Sequence, residues 1–309
     1  MINSIVAHTS LDAFPIVKKG KVRDVYDVGE YYLLISTDRL SAFDVVFDEP
    51  IPYKGVVLNQ LAAYWFEQTK NIIQNHFITS EVIDELPILI PKRKELHMRS
   101  MLVKKAQVLP FECIVRGYLM GSAYEEYKKT GSIAGKPYGH GLVLGSKFSE
   151  PLFTPSTKAD KGHDVNISYQ ELNDQLGEDT AQKLRDLSLE LFQFASKEAL
   201  KKGLILVDTK FEFGQTQDGL ILIDEIFTPD SSRYVLKTDY EVGFIDRSLD
   251  KQFVRNFLTT SGWNKEPPPP HLPEDIVNKT SERYLYLYQM LIGHNLLEEV
   301  ENERNNSHD

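Results

Sequence analysis

Cysteine occurs once in 309 residues, as Cys113. That excludes an internal disulfide framework and leads us to expect a reducing, cytoplasmic setting. No apolar run approaches the ~18–20 residues of a membrane helix. The opening M-I-N-S-I-V-A-H-T-S has no basic stretch followed by an apolar one, so no secretory leader is expected. Neither a Walker A pattern nor G-x-G-x-x-G is present. No Cys/His spacing suits zinc, and Cys113, between Glu112 and Ile114, reads as core packing and not as a nucleophile. Basic residues are also short: 35 Lys and Arg face 45 Asp and Glu, a net charge of −10. So acidic a body repels nucleic acid and anionic membrane, and an anionic ligand must be held by a local basic cluster. With 41% hydrophobic and 26% charged residues the chain is globular, and long enough for one large domain or two lobes.

Val22, Val25 and Tyr26, then Tyr31–Ile35, then Val45–Phe47 read as strands of an antiparallel sheet, with a turn at 27–30. Leu58, Leu61, Ala62, Trp65 and Phe66 make one helical stripe over 56–69. Strands follow at Met101–Gln107 and Phe111–Tyr118, separated by Leu109-Pro110, where a boundary between lobes 1–109 and 110–309 is expected. A short helix and loops are expected over 117–145, and a functional loop over 145–167, which lacks periodicity. Leu184–Leu200 is the clearest helix, stopped at Gly203. G-L-I-L-V-D at 203–208 and G-L-I-L-I-D at 219–224 read as two buried strands of a hairpin. Four prolines at 267–270 form a stiff spacer before a helical 274–300 and a polar tail.

That hairpin carries chemistry. If its loop is Gln217-Asp218-Gly219, Glu212 lies opposite Asp224; if it is Asp218-Gly219, Glu212 faces Glu225. Alternation puts Asp208, Lys210 and Glu212 on one face and Phe211 and Phe213 on the other. Facing carboxylates destabilise a sheet unless neutralised. A Mg²⁺ ion shared with nucleotide phosphates would do so; a solvated face paired with Lys210 is the plainer alternative.

Three segments are candidate anion cradles. Lys18-Lys-Gly-Lys-Val-Arg-Asp24 is a glycine turn that could lay lysines and backbone N–H groups over phosphates, or be a basic surface turn. In Arg116-Gly-Tyr-Leu-Met-Gly-Ser122, Ser122 with Glu125 has the form of a capping box, and a helix starting there would favour anions beside Arg116. Phe227-Thr-Pro-Asp-Ser-Ser-Arg233 brings hydroxyls and an arginine next to the acidic strand. For the last two, an ordinary cap and a helix-entry turn remain open.

In this order the segments resemble the SAICAR synthetase family, the phosphoribosylaminoimidazole-succinocarboxamide synthases. The matching blocks are G-K-V-R-D-V-Y at 20–26, S-T-D-R-L-S-A-F-D at 36–44, E-C-I-V-R-G-Y-L-M-G-S at 112–122 and F-T-P-S-T-K-A-D at 153–160. G-H-D at 162–164, D-T-K-F-E-F-G at 208–214, D-E-I-F-T-P-D-S-S-R-Y at 224–234 and D-K-Q-F-V-R at 250–255 complete them. They span about three quarters of the chain, whose length resembles the longer, monofunctional members. Asp160 replaces the family's usual glutamate, and Val235 stands where tryptophan is common.

The resemblance implies an α+β fold, with an N-terminal antiparallel β lobe and a larger α/β lobe enclosing an ATP cleft. It implies an ATP- and Mg²⁺-dependent ligase joining 5-aminoimidazole-4-carboxylate ribonucleotide (CAIR) to L-aspartate to give SAICAR, ADP and phosphate, through an acyl phosphate. These small molecules would be its partners, and it would act as a monomer or homodimer. Lys19, Gly20, Lys21, Val22 and Arg23 would cover the ATP phosphates, with Lys18 nearby, and Lys104 to Leu109 would connect the lobes beside the adenine. Glu212 and Asp224 would hold Mg²⁺. Arg116, Ser122 and Arg233 would bind the CAIR phosphate or carboxylate, with Asp208 and Lys210 in the same cleft; Lys210, Asp208 and Arg233 are the implied catalytic residues. Asp38, Ser41, Asp44, Lys158 and His163 are implied at the site. The rivals are a kinase-like phosphotransferase, which lacks H-R-D-x-x-x-x-N and D-F-G here, and an ATP-binding regulator without catalysis.

Overall fold

The computed structural model describes residues 4–158, 165–243 and 248–306, and side chains only as far as 301. His163 and Asp160 lie outside the described residues. Two antiparallel sheets organise the rest. In the first, the strands Ile16–Lys19, Arg23–Asp27, Tyr31–Ser36, Ser100–Lys104 and Phe77–Thr79 lie in that order. The second is built around the 13-residue strand Leu204–Thr216, which pairs with Gln107–Tyr118 on one side and with Gly219–Ile223 and Ser232–Leu236 on the other. Lys147–Phe153 and Ser156–Thr157 extend it beyond Gln107–Tyr118. Helices Lys54–Thr69, Glu178–Lys201 and Glu274–Ile292 pack their apolar stripes into one core with both sheets. This is the α+β, two-lobed architecture anticipated.

Among the described residues no helix is long and apolar enough to cross a membrane. Among its described residues, the pattern-free stretch 145–167 holds two edge strands, which bury few side chains and so leave no alternating trace. Pro110 does not separate two strands. It lies within Gln107–Tyr118, where the register against Leu204–Thr216 shifts between Glu212 and Gly214. A bulge tolerates the missing N–H. The chain passes between the two sheets at Lys105–Ala106. Gly214 is held close there, since a Cβ would meet the Ala106 methyl at 2.8 Å.

The hairpin has neither anticipated register. Thr216 pairs with Gly219 and Glu212 with Ile223, so the turn is Gln217-Asp218. The two G-L-I-L segments do not pair with each other. The first lies against Ser232–Leu236, and Gly219–Ile223 against 212–216. Asp224 follows the last pair in a left-handed conformation (φ 69°), which a short polar side chain tolerates better than most.

Candidate functional site

One face of the strand Leu204–Thr216 carries a row of charged side chains. Asp208 pairs in register with Arg116, Lys210 with Ile114 and Glu212 with Glu112. The other face buries Phe211 and Phe213 with Cys113 and Val115 in the core. The period-2 expectation therefore holds for both faces. The carboxylate opposite Glu212 is Glu112, a residue of the 112–122 block to which no role had been given.

At one end of this face lies a cavity of about 260 Å³, walled by Arg116, Ser122, Asp208, Lys210, Arg233 and Asp230, among others. Arg116 and Arg233 both reach Asp208 Oδ2, at 3.3 and 3.1 Å. Arg116 also donates to Ser122 Oγ and Thr154 Oγ1, each at 3.0 Å. The capping box does not form. Gly121 is the N-cap, Ser122 is the first helical residue, and its hydroxyl serves Arg116 instead. Gly121 takes φ 59°, and a Cβ there would come within 2.3 Å of the Arg233 guanidinium. Glycine is thus required both for the turn and for the arginine's seat. Asp250, Lys251 and Arg255 complete the wall, and sequence reasoning had quoted their block without assigning them.

At the other end, Lys210 Nζ lies 2.5 Å from Glu112 and 3.5 Å from Glu212, and Lys158 closes on Glu212. Burial alone would lower the Lys210 ammonium, but Glu212 and Glu112 outweigh it and hold it well above the usual lysine range. Burial likewise pushes Asp224 up, while Arg23, Lys210 and Lys158 more than reverse that and keep it ionised. Arg23 joins the sheets: its Nη2 donates to Asp224 at 2.8 Å and to Glu225 at 3.0 Å, about two hundred residues away.

The turn 19–23 brings exposed Lys19 and Lys21 to the surface around half-buried Gly20 and Val22, and Lys21 pairs with Asp44. Exposed Lys104 lines a cavity of about 1000 Å³ between Tyr31 of the first sheet and the 215–221 hairpin of the second. Asp38 and Ser41 are not brought to this face. Asp38 is wholly buried, accepting from Arg99 at 2.6 Å and from the Gly55 N–H at 2.7 Å, and Ser41 is buried in a two-residue strand against Val46. Both acidic carboxylates expected to hold a metal are present with cationic side chains on them. Among the described residues no group of three or more His, Cys, Asp or Glu could hold a metal alone. A pair such as Glu212 and Asp224 fits a Mg²⁺ that completes its shell with phosphate and water.

Paired guanidiniums and facing carboxylates, gathered from neighbouring strands on one sheet face, suit an ATP-binding ligase. The family model described as SAICAR synthetase matches residues 16–270. The phosphoribosylaminoimidazole-succinocarboxamide synthase of Thermodesulfovibrio yellowstonii is 50% identical over 94% of this chain and 99% of its own. That of Desulfatibacillum aliphaticivorans is 48% identical over 94% and 98%. The solved Saccharomyces cerevisiae SAICAR synthase, complexed with SAICAR, superposes with a TM-score of 0.84 at 39% identity, covering 94% of this chain and 98% of the yeast one. The chain belongs to the SAICAR synthetase family. Its reaction is the ATP-dependent condensation of CAIR with aspartate to SAICAR.

Proposed function

We propose that the reaction runs along the charged face of the Leu204–Thr216 strand, from an ATP end at Glu212 and Asp224 to a CAIR end at Arg116 and Arg233. The observation that carries this is the strand's alternation, which sets Asp208, Lys210 and Glu212 in one row linking the two charge clusters. Arg116, Arg233 and Ser122 bind the phosphate or carboxylate of CAIR, and Asp208 holds the two guanidiniums side by side. The bound product of the yeast relative supports a nucleotide seat of this kind. Lys19, Gly20 and Lys21 cover the ATP phosphates, and Lys104 flanks the adenine end of the cleft. Lys158 and Lys210 neutralise charge between the ends. Held protonated, Lys210 serves as a fixed cation and not as a base. Asp38 and Ser41 are buried away from this face and take no direct part in this reading.

A carboxylate is a poor electrophile, so we propose activation as an acyl phosphate. A CAIR carboxylate oxygen attacks the γ-phosphorus and ADP leaves. The aspartate amine then attacks the carbonyl carbon, and phosphate departs with that oxygen and takes up the proton the amine releases. Charge builds on phosphoryl oxygens, where fixed cations act most strongly. Mg²⁺, when bound by Glu212 and Asp224, supplies further neutralisation of those oxygens. The lobes divide near residue 109 in this reading, a few residues past the crossing between the sheets at Lys105–Ala106. A cytoplasmic setting belongs to it too, supported by the single, buried Cys113.

The test is ADP release from Mg–ATP with CAIR and L-aspartate, each omitted in turn, with ¹⁸O in the CAIR carboxylate. Transfer of one ¹⁸O to phosphate is the expected result. Turnover with no label in phosphate would refute the acyl phosphate.

A further inference from the structure

The helix Glu274–Ile292 carries none of the motif blocks, yet three of its side chains brace the CAIR-side cavity or the segments leading to it. Tyr284 Oη donates to Asp230 Oδ1 at 2.7 Å. Arg283 donates to the carbonyl of Ser248 at 2.7 Å, and Ser281 to that of Pro52 at 2.8 Å. The other oxygen of Asp230 accepts from Lys54 Nζ at 2.7 Å, at the start of the Lys54–Thr69 helix. The Lys54 side chain is completely buried, and that of Asp230 is 5% exposed. Tyr284 is buried as well.

An ammonium removed from water is costly unless well paired, so its placement calls for a reason. Asp230 sits in the turn that ends in Arg233, and it lines the cavity itself. The turn is tied on its other side by Lys210 N–H to Ser231 O at 2.9 Å and by Thr209 to Ser232 at 2.7 Å. The cavity wall holds five cationic and four acidic side chains, a surplus of a single positive charge. Without Lys54 behind it, the Asp230 carboxylate would oppose an anionic guest at short range and lose half its anchorage.

We propose that Lys54 and Tyr284 are positioning residues for the CAIR seat: they clamp and neutralise Asp230 and so hold Arg233 in its binding position. The C-terminal helix thereby contributes to affinity for the nucleotide without touching it. This rests on the reading of the Arg116–Arg233 cavity as that seat.

The experiment measures KM for CAIR, KM for ATP, kcat and thermal midpoint on the full-length enzyme. Tyr284→Phe removes a single hydroxyl and raises the CAIR KM about tenfold, near the lower bound of the worth of one hydrogen bond to a charged group. Its ATP KM and kcat stay within about twofold of wild type. Lys54→Met raises the CAIR KM further, and adding Asp230→Asn brings it back toward the Tyr284→Phe value, because the unpaired charge is gone. If Lys54→Met does not fold, Tyr284→Phe decides alone. Equal rises in both KM values, or a lower thermal midpoint with unchanged kinetics, would overturn the proposal and leave Asp230 a scaffold contact. Arg233→Met tests the underlying reading. If it leaves the CAIR KM unchanged, the seat is misassigned; if it raises that KM while Tyr284→Phe does not, only the positioning role fails.

Discussion

Glu112 and Glu212 face each other directly across neighbouring strands, and Lys210 reaches both. Both glutamates are almost wholly buried. Lys210→Met leaves them facing with one cation fewer, and should cost about 2–3 kcal/mol in urea denaturation. Adding Glu112→Gln should recover most of that stability. Turnover should remain down ~100-fold or more in the double variant, since the fixed cation is not restored.

Asp224→Asn keeps a residue that tolerates the left-handed backbone at φ 69°. Arg23 retains Glu225 as a partner. The variant should therefore melt within a few degrees of wild type, while kcat falls about 100- to 1000-fold. Near-normal turnover would remove Asp224 from the metal pair.

Asp250 is 2% exposed and its Oδ1 has no hydrogen-bond partner. Burial pushes its carboxyl above the usual range, and the nearby Arg233 and Arg255 only partly offset this. A carboxyl raised in the folded state stabilises fully below its unfolded pKa, near 3.8, and that contribution is lost as pH rises through the folded value. Asp250→Asn should then melt above wild type at about pH 7, with the gap closing toward about pH 4. A gap independent of pH across thermal scans would contradict this origin.

Gly121→Ala puts a methyl against the Arg233 guanidinium and strains a backbone at φ 59°. The arginine must move, so the CAIR KM should rise about tenfold or more. The ATP KM should change little. Parallel kinetics with the two substrates would show a general loosening and not a displaced arginine.

The alternation of Asp208, Lys210 and Glu212 was legible because strand period is local and the core face is aromatic. The hairpin register was not, because glycine at 219 suits several loop lengths and only tertiary pairing selects one. Glu112 was invisible as a site residue for the same reason: its partner is exactly one hundred positions away. Ser122 and Glu125 matched a capping box by spacing, but Gly121 takes the N-cap position and Arg116 engages the Ser122 hydroxyl. Asp38 was implied at the site by the resemblance alone, and only the fold shows Arg99 enclosing it. Lys54 gave no signal at all, since one lysine at a helix start reads as solvent-facing.

The row of charged side chains on Leu204–Thr216 has a fixed pitch. The four steps from Asp208 to Glu212 span about 13 Å of extended chain. In the proposed reading the backbone therefore works as a ruler between the ATP end and the CAIR end. Side-chain substitutions along it retune grip at one end or the other, whereas only an insertion or deletion in the strand would change the distance the reacting groups must cross.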